Sequence, residues 1–239
     1  MYPVFFLFIK MGLIFMNNNQ LKIITIVGAS GLVGQQLLNM LLDDITVHKV
    51  ILLSRTAPET QHRKIHYIAT DFSKMKNYVE EIRGSDVLYC CIGTTIKKAK
   101  SKEAFRMVDF QIPVDLARIA EKAGIPKFIV ISSLGADATS SNFYLKTKGE
   151  MEAEIFKNYR FQKLAFVRPS MLMGSRHEFR LGERLAQFFM MMFSFLMVGK
   201  LKKYRPIHDF KVAKAMIGIA NSMNNKVYYE SSDLEWLST

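Results

Sequence analysis

Cysteine is nearly absent: the chain has two in 239 residues, and those two, Cys90 and Cys91, are neighbours. Adjacent thiols in an apolar run offer neither a disulfide framework nor metal-ligand spacing. They read as small core residues of a protein in a reducing compartment, and the expected location is cytoplasmic. The histidines, His48, His62, His66, His177 and His208, fall at no metal-binding spacing either, so no metal site is expected. Acidic residues are scarce, 21 Asp and Glu against 33 Lys and Arg, which leaves a formal charge of +12. That surplus favours anionic partners, such as a phosphorylated cofactor or an acidic membrane surface. The basic residues are scattered, with short pairs at Lys97-Lys98 and Lys202-Lys203 and no arginine-rich arm, so nucleic acid is not expected as a partner. Low-complexity tracts are missing apart from Asn17-Asn18-Asn19, and there is no internal repeat.

A membrane-spanning run is also missing from the amino terminus. The apolar stretch from Val4 to Ile9 stops at Lys10 and is too short to cross a bilayer. It has no basic leader and no small-residue cleavage site, so it makes a poor signal peptide. Two readings of it stand. One is a mis-assigned start with Met16 as initiator, favoured because Leu21 to Val27 already makes a sensible first strand. The other is a surface-seeking anchor.

What is present is an alternation of strand and helix patterns. Strands are expected at Leu21–Val27, Val47–Leu53, Ile65–Ala69, Val87–Cys91, Lys127–Ile131 and Leu164–Val167. Helices are expected at Leu32–Leu42, Ser73–Arg83 with Ser73 as cap, Ser101–Ala123 with Pro113 kinking it or starting a new segment, and Tyr144–Tyr159. Continuous apolar strands imply a parallel sheet covered on both faces, an α/β doubly wound (Rossmann) fold. The expected organisation is an apolar extension over residues 1–19, a dinucleotide-binding domain over 20–168, and a small substrate-side lobe over 169–239 integral to the same domain. The lobe carries a Met- and Phe-rich stretch, Glu178–Val198, then a helix at Asp209–Met223 and a strand near Val227–Tyr229. Core, a substrate lid, and a membrane or dimer contact through Phe188 to Val198 are all open readings of that stretch.

The first strand runs into Gly28-Ala29-Ser30-Gly31-Leu32-Val33-Gly34, which opens a helix. Glycines in this context let backbone N–H groups and a helix N-terminus approach a pyrophosphate, so Gly28, Ser30, Gly31, Leu32, Val33 and Gly34 are candidate cofactor contacts. An adenosine ribose is usually bound by a carboxylate at the end of the second strand. Here that strand ends Leu53-Ser54-Arg55, while Asp43 and Asp44 lie at its other end. Arg55 in that place suits a 2′-phosphate and favours NADP(H) over NAD(H); a solvated surface arginine is the alternative. Asp71 and Phe72 follow the third strand, near an adenine edge, although Asp71 equally suits a helix entry. Gly93 and Thr94 follow the fourth strand, beside the middle of a cofactor.

The most specific signal joins Ile131-Ser132-Ser133 at a strand end to Tyr144-Leu145-Lys146-Thr147-Lys148. Tyr144 and Lys148 are four apart on a helix and share a face. An ammonium beside a phenol favours the phenolate, and an oxidised nicotinamide adds positive charge. A Tyr-x-x-x-Lys alone is common on solvated helices. After a serine-ended strand, in a chain with the glycine turn, it gains meaning.

These residues resemble the short-chain dehydrogenase/reductase superfamily. The resemblance covers Leu21 to about Asp209. The run from Ser132-Ser133-Leu134-Gly135-Ala136-Asp137 to Lys148-Gly149-Glu150, with Cys90 to Thr95 and Val167-Arg168-Pro169, is similar to its atypical branch. That branch includes the oxidoreductases called HIV Tat-interacting protein 2 in animals. The resemblance implies NADP(H) binding, Tyr144 as general acid/base, Lys148 on the nicotinamide ribose, and a serine polarising a carbonyl. Ser133 is the better match for that serine and Ser132 the second. Pro169 matches the position whose neighbouring backbone meets the carboxamide. Asp209 resembles a helix-start aspartate of extended members, which capping also explains. The reading is an NADP(H)-dependent oxidoreductase acting on a carbonyl or alcohol. Its rivals are a non-enzymatic NADP(H)-binding sensor or scaffold, a sugar-nucleotide epimerase or dehydratase, and a membrane-peripheral protein.

Overall fold

Runs of Val, Ile and Leu bounded by turn residues form strands because branched side chains pack well on a pleated, two-sided buried surface. The computed structural model describes residues 21–173 and 205–239. Its main sheet contains β1 (Lys22–Val27), β2 (Val47–Ser54), β3 (Ile65–Ala69), β4 (Val87–Cys90), β5 (Lys127–Ile131), β6 (Lys163–Arg168) and a later strand, β9 (Tyr228–Glu230). All seven are parallel, in the order β3-β2-β1-β4-β5-β6-β9. The expected doubly wound fold is therefore the one found.

On one face lie α1 (Leu32–Asp43) and α6 (Asp209–Asn221). Helix α1 buries Val33, Leu37, Leu38, Leu41 and Leu42 at helical spacing, each side chain contributing about 1.5–3 kcal/mol of apolar burial. The other face packs α4 (Ile112–Lys122) and α5 (Phe143–Asn158) over Leu88, Phe128, Val130 and Phe166. Helix α6 shares its core with α1 and β1, and β9 extends the sheet beyond β6. The closing helix α7 (Ser231–Leu237) and a two-residue parallel pairing of β7 (Leu172–Met173) with β8 (Ile207–His208) were not foreseen.

Two helices depart from expectation. The helix placed over Ser73–Arg83 is a 3₁₀ segment, Phe72–Tyr78, and its cap is Asp71, whose Oδ1 accepts the Ser73 N–H at 2.9 Å. Ser73 follows the cap. The long helix expected over Ser101–Ala123 is α3 (Lys102–Arg106), a π-helical turn (Met107–Gln111) and α4, the new segment expected at Pro113, while an unforeseen single turn, α2 (Ile96–Ala99), precedes them. Pro113 explains the widening. It has no N–H to give the carbonyl four residues back, and the Ile112 amide bonds Met107 O across five residues. The Met- and Phe-rich stretch over Glu178–Val198 and the extension over 1–19 lie outside the described residues.

Candidate active site

Parallel pairing aligns the carboxyl ends of the central strands. Val27 is level with Leu53 and Cys90, Cys90 with Val130, and Ile131 with Val167. The residues that follow, Gly28, Arg55, Cys91 to Thr94, Ser132-Ser133 and Pro169, are thereby brought to one edge of the sheet. The strand order reverses between β1 and β4, where such folds carry a crevice.

Gly28 has φ +90°, and a Cβ there would stand 2.7–2.9 Å from backbone atoms of Cys91 and Ile92. Gly34 is packed harder still, with a Cβ falling 2.1 Å from Gly28 O. Gly31 N–H closes the turn onto Gly28 O at 3.1 Å, and Gly31 is the α1 N-cap with no side chain of its own to satisfy the helix N-terminus. The result is a bare, tightly wound cradle of backbone N–H groups, which fits a pyrophosphate. Ser30 is exposed on it, Leu32 half-buried, and Val33 buried in the core below. Arg55 is exposed, two residues past Leu53, the β2 residue level with Val27. The Asp71 carboxylate is engaged in the cap just described, and Phe72 packs on the core.

Helix α5 carries the other half. Asn142 caps it, its Oδ1 accepting the Tyr144 and Leu145 amides at 3.0 and 3.2 Å. The Tyr144 ring lies 5.6 Å from that of buried Phe105. One turn on, Lys148 is 2% exposed, so this lysine is not on a solvated face. Its Nζ stands 2.8 Å from Oδ1 of Asp109, itself 1% exposed, and Asp109 Oδ2 accepts the Thr94 N–H at 2.9 Å. Burial pushes the ammonium down. The Asp109 carboxylate, with the Tyr144 phenol and Cys90 thiol, outweighs that and holds it above the ordinary lysine value. Gly93 passes over the pair; a Cβ there would sit 3.5 Å from Asp109 Oδ1 and 3.9 Å from Lys148 Nζ.

Ser132 is 4% exposed, and its hydroxyl has no hydrogen-bond partner among the described residues. Ser133 is more open, its Oγ making one long contact of 3.4 Å to Leu134 O. The Leu134 N–H bonds Pro169 O at 3.0 Å, which fastens the serine loop to buried Pro169. Cys90 is buried, its thiol pushed up to about 11 by that burial, as befits a core residue. Among the described residues no three His, Cys, Asp or Glu side chains are grouped to hold a metal.

Three contributors escaped the sequence reading. Asp109 lies 39 residues before its partner in a helical pattern, and Pro113, four residues on, was its only local sign. Glu152 extends the Tyr144, Lys148 spacing by one more turn; it is 2% exposed and takes Arg168 Nε at 3.0 Å, tying α5 to the end of β6. Gly149 lets α5 press against the loop before it, since a Cβ would stand 2.2 Å from Ala138 N and Asp137 C.

Comparison with known proteins shows the family and the fold. Residues 28–182 match the NAD(P)H-binding family. The rat protein HTATIP2 is 38% identical over 173 residues, 71% of this chain and 71% of its own. Protein FMP52 of the yeast Meyerozyma guilliermondii, named mitochondrial, is 34% identical over 152 residues, 63% of this chain and 65% of its own. The structure of MoeE5 in complex with UDP-glucose and NAD shares the fold, with a TM-score of 0.64 at 12% identity over 90% of this chain and 80% of that one. The expected cytoplasmic location is corrected by these relatives. FMP52 proteins of Debaryomyces hansenii and Candida albicans are likewise named mitochondrial, which points away from the cytoplasm. The misstep was to read scarce cysteine, which marks a reducing compartment, as marking one in particular.

Proposed function

This chain belongs to the NAD(P)H-binding family, and we propose that within it the protein works as an NADP(H)-dependent oxidoreductase on a carbonyl or alcohol. The observation that carries the reading is the burial of Lys148 one turn beyond Tyr144, at the cofactor edge of the sheet. A lysine kept out of water at the cost of its hydration is an expense that a mere surface helix would not bear. Bound, the cofactor supplies the hydride. Gly28, Ser30, Gly31 and the start of α1 hold its pyrophosphate, Arg55 its 2′-phosphate, Gly93 and Thr94 its middle, and the backbone at Pro169 its carboxamide. Lys148 meets the ribose and stabilises negative charge on Tyr144. The Tyr144 hydroxyl exchanges a proton with the substrate oxygen, and Ser133, the more open of the serine pair, holds that oxygen in place. The reading carries with it the mitochondrial location of the FMP52 relatives.

The test is NADPH oxidation over a panel of aldehydes, ketones and quinones, run beside Tyr144→Phe. Loss of a positioned proton donor lowers turnover about 10²–10⁴-fold. Turnover untouched by the substitution refutes the mechanism, and tight NADPH binding with no turnover on any substrate assigns a sensor instead.

A further inference from the structure

Lys148 and Asp109 reach each other from separate elements, the ammonium from α5 and the carboxylate from the π-helical turn before α4. The widened turn is where Pro113 denies the Asp109 carbonyl its usual helical donor. The carboxylate divides its oxygens, one on the Lys148 ammonium and one on the Thr94 N–H of the loop that follows β4. We propose that Asp109 is a positioning residue of this site: its negative charge keeps the buried Lys148 ammonium charged, and its second oxygen fastens the cofactor-side loop to that lysine. The proposal rests on the assignment of Tyr144 and Lys148 above and adds the residue on which Lys148 depends.

The charge, and not only the shape, of Asp109 is what the surroundings require. Among the described residues, three titratable groups act on the ammonium: Asp109 from the π turn, Tyr144 from its own helix and Cys90 from β4. The Cys90 thiol, pushed up to about 11, is neutral at pH 7. Asp109 is the carboxylate of the set, and at 1–3% side-chain exposure water cannot replace it. An asparagine there would keep the acceptor for Thr94 and the volume, but not the charge.

Asp109→Asn is therefore the discriminating variant, read first without cofactor. In protein labelled with ¹³C at lysine Cε, with Lys148→Arg identifying the signal, Lys148 stays an ammonium past pH 10 in the parent. In Asp109→Asn it titrates below the ordinary lysine value of about 10.4. The same titration in both proteins overturns the proposal. The second readout is NADPH affinity against pH: constant from pH 7 to 9 in the parent, and weakened about tenfold over that range in Asp109→Asn, with Asp109→Glu restoring it. A displaced Lys148 titration with NADPH affinity unaltered in Asp109→Asn and in Lys148→Ala upholds the counter-ion and refutes the assignment of Lys148 to the cofactor. Should Asp109→Asn not fold, Asp109→Asn with Lys148→Met will, because no lone charge is left buried. Failure of that double variant also overturns the proposal.

Discussion

Gly149 and Ala138 stand so close that a single methyl group cannot be placed between them: a Cβ on Gly149 would lie 2.2 Å from the Ala138 amide nitrogen. The obstruction is backbone, from Asp137 as well as Ala138, and cannot swing aside as a side-chain tip would. Gly149→Ala is expected to push α5 off its loop, cost about 3 kcal/mol, and lower Tm by about 6–12 °C. Because Tyr144 and Lys148 ride on that helix, cofactor-dependent activity should fall more than the folded fraction does. Thermal melts beside kinetics at low temperature check this.

The cradle makes a separable prediction. Gly28→Ala must find room against Cys91 and Ile92 at an L-residue's disfavoured φ of +90°. NADPH binding by calorimetry is expected to be lost, and any retained affinity within about threefold of the parent would contradict the cradle as the pyrophosphate site.

Arg55 is exposed and unneeded for the core, so its replacement should be silent in stability. Arg55→Ala is expected to weaken NADPH about tenfold while leaving NADH unchanged, as loss of a charge-assisted phosphate contact does. Equal affinities of the unmodified protein for the two cofactors would remove the argument for NADP(H).

Glu152 should behave as a buried charge with a partner. Glu152→Ala removes the carboxylate that Arg168 holds at the end of β6, where its guanidinium also lies over the Tyr228 ring at 4.4 Å. The expected loss is about 1.5–3 kcal/mol in chemical denaturation, as for a hydrogen bond to a charged group. The variant Glu152→Met with Arg168→Met should recover part of it.

The Lys148–Asp109 pair sets an alkaline limit. Lys148 is held above its ordinary value in the fold, so its share of stability is complete below the unfolded lysine value of about 10.4 and is lost as pH rises through the higher folded value. Urea unfolding at pH 9, 10 and 11 should show stability falling over the upper part of that range. The fall should be shallower in Lys148→Met with Asp109→Asn, where Cys90, Cys91 and Tyr89, all held above their ordinary values by burial, still lower stability as the unfolded chain ionises.

Much of this was legible in the chain because it is local. The strand at Ile65–Ala69 and the strand at Lys127–Ile131 fall where apolar runs between turn residues put them. Of the two roles open to Asp71, an adenine contact or a helix entry, the structure shows the entry, and the amide of Ser73 takes its carboxylate where Ser73 was itself expected as the cap. The single turn at Ile96–Ala99 and helix α7 were missed because segments so short carry less than two helical repeats of pattern.

By itself the sequence determined the alternation of strands and helices, the three-glycine turn, and the pairing of Tyr144 with Lys148 on one helical face, since each depends on spacings within a few residues. It did not determine strand order or which charges meet, because those depend on how distant segments close on one another. Only the tertiary structure decided that β9 joins the sheet beyond β6, that Glu152 reaches Arg168, and that Lys148 is buried. It also gave that lysine its counter-ion, Asp109, from 39 residues away across a turn widened by a proline.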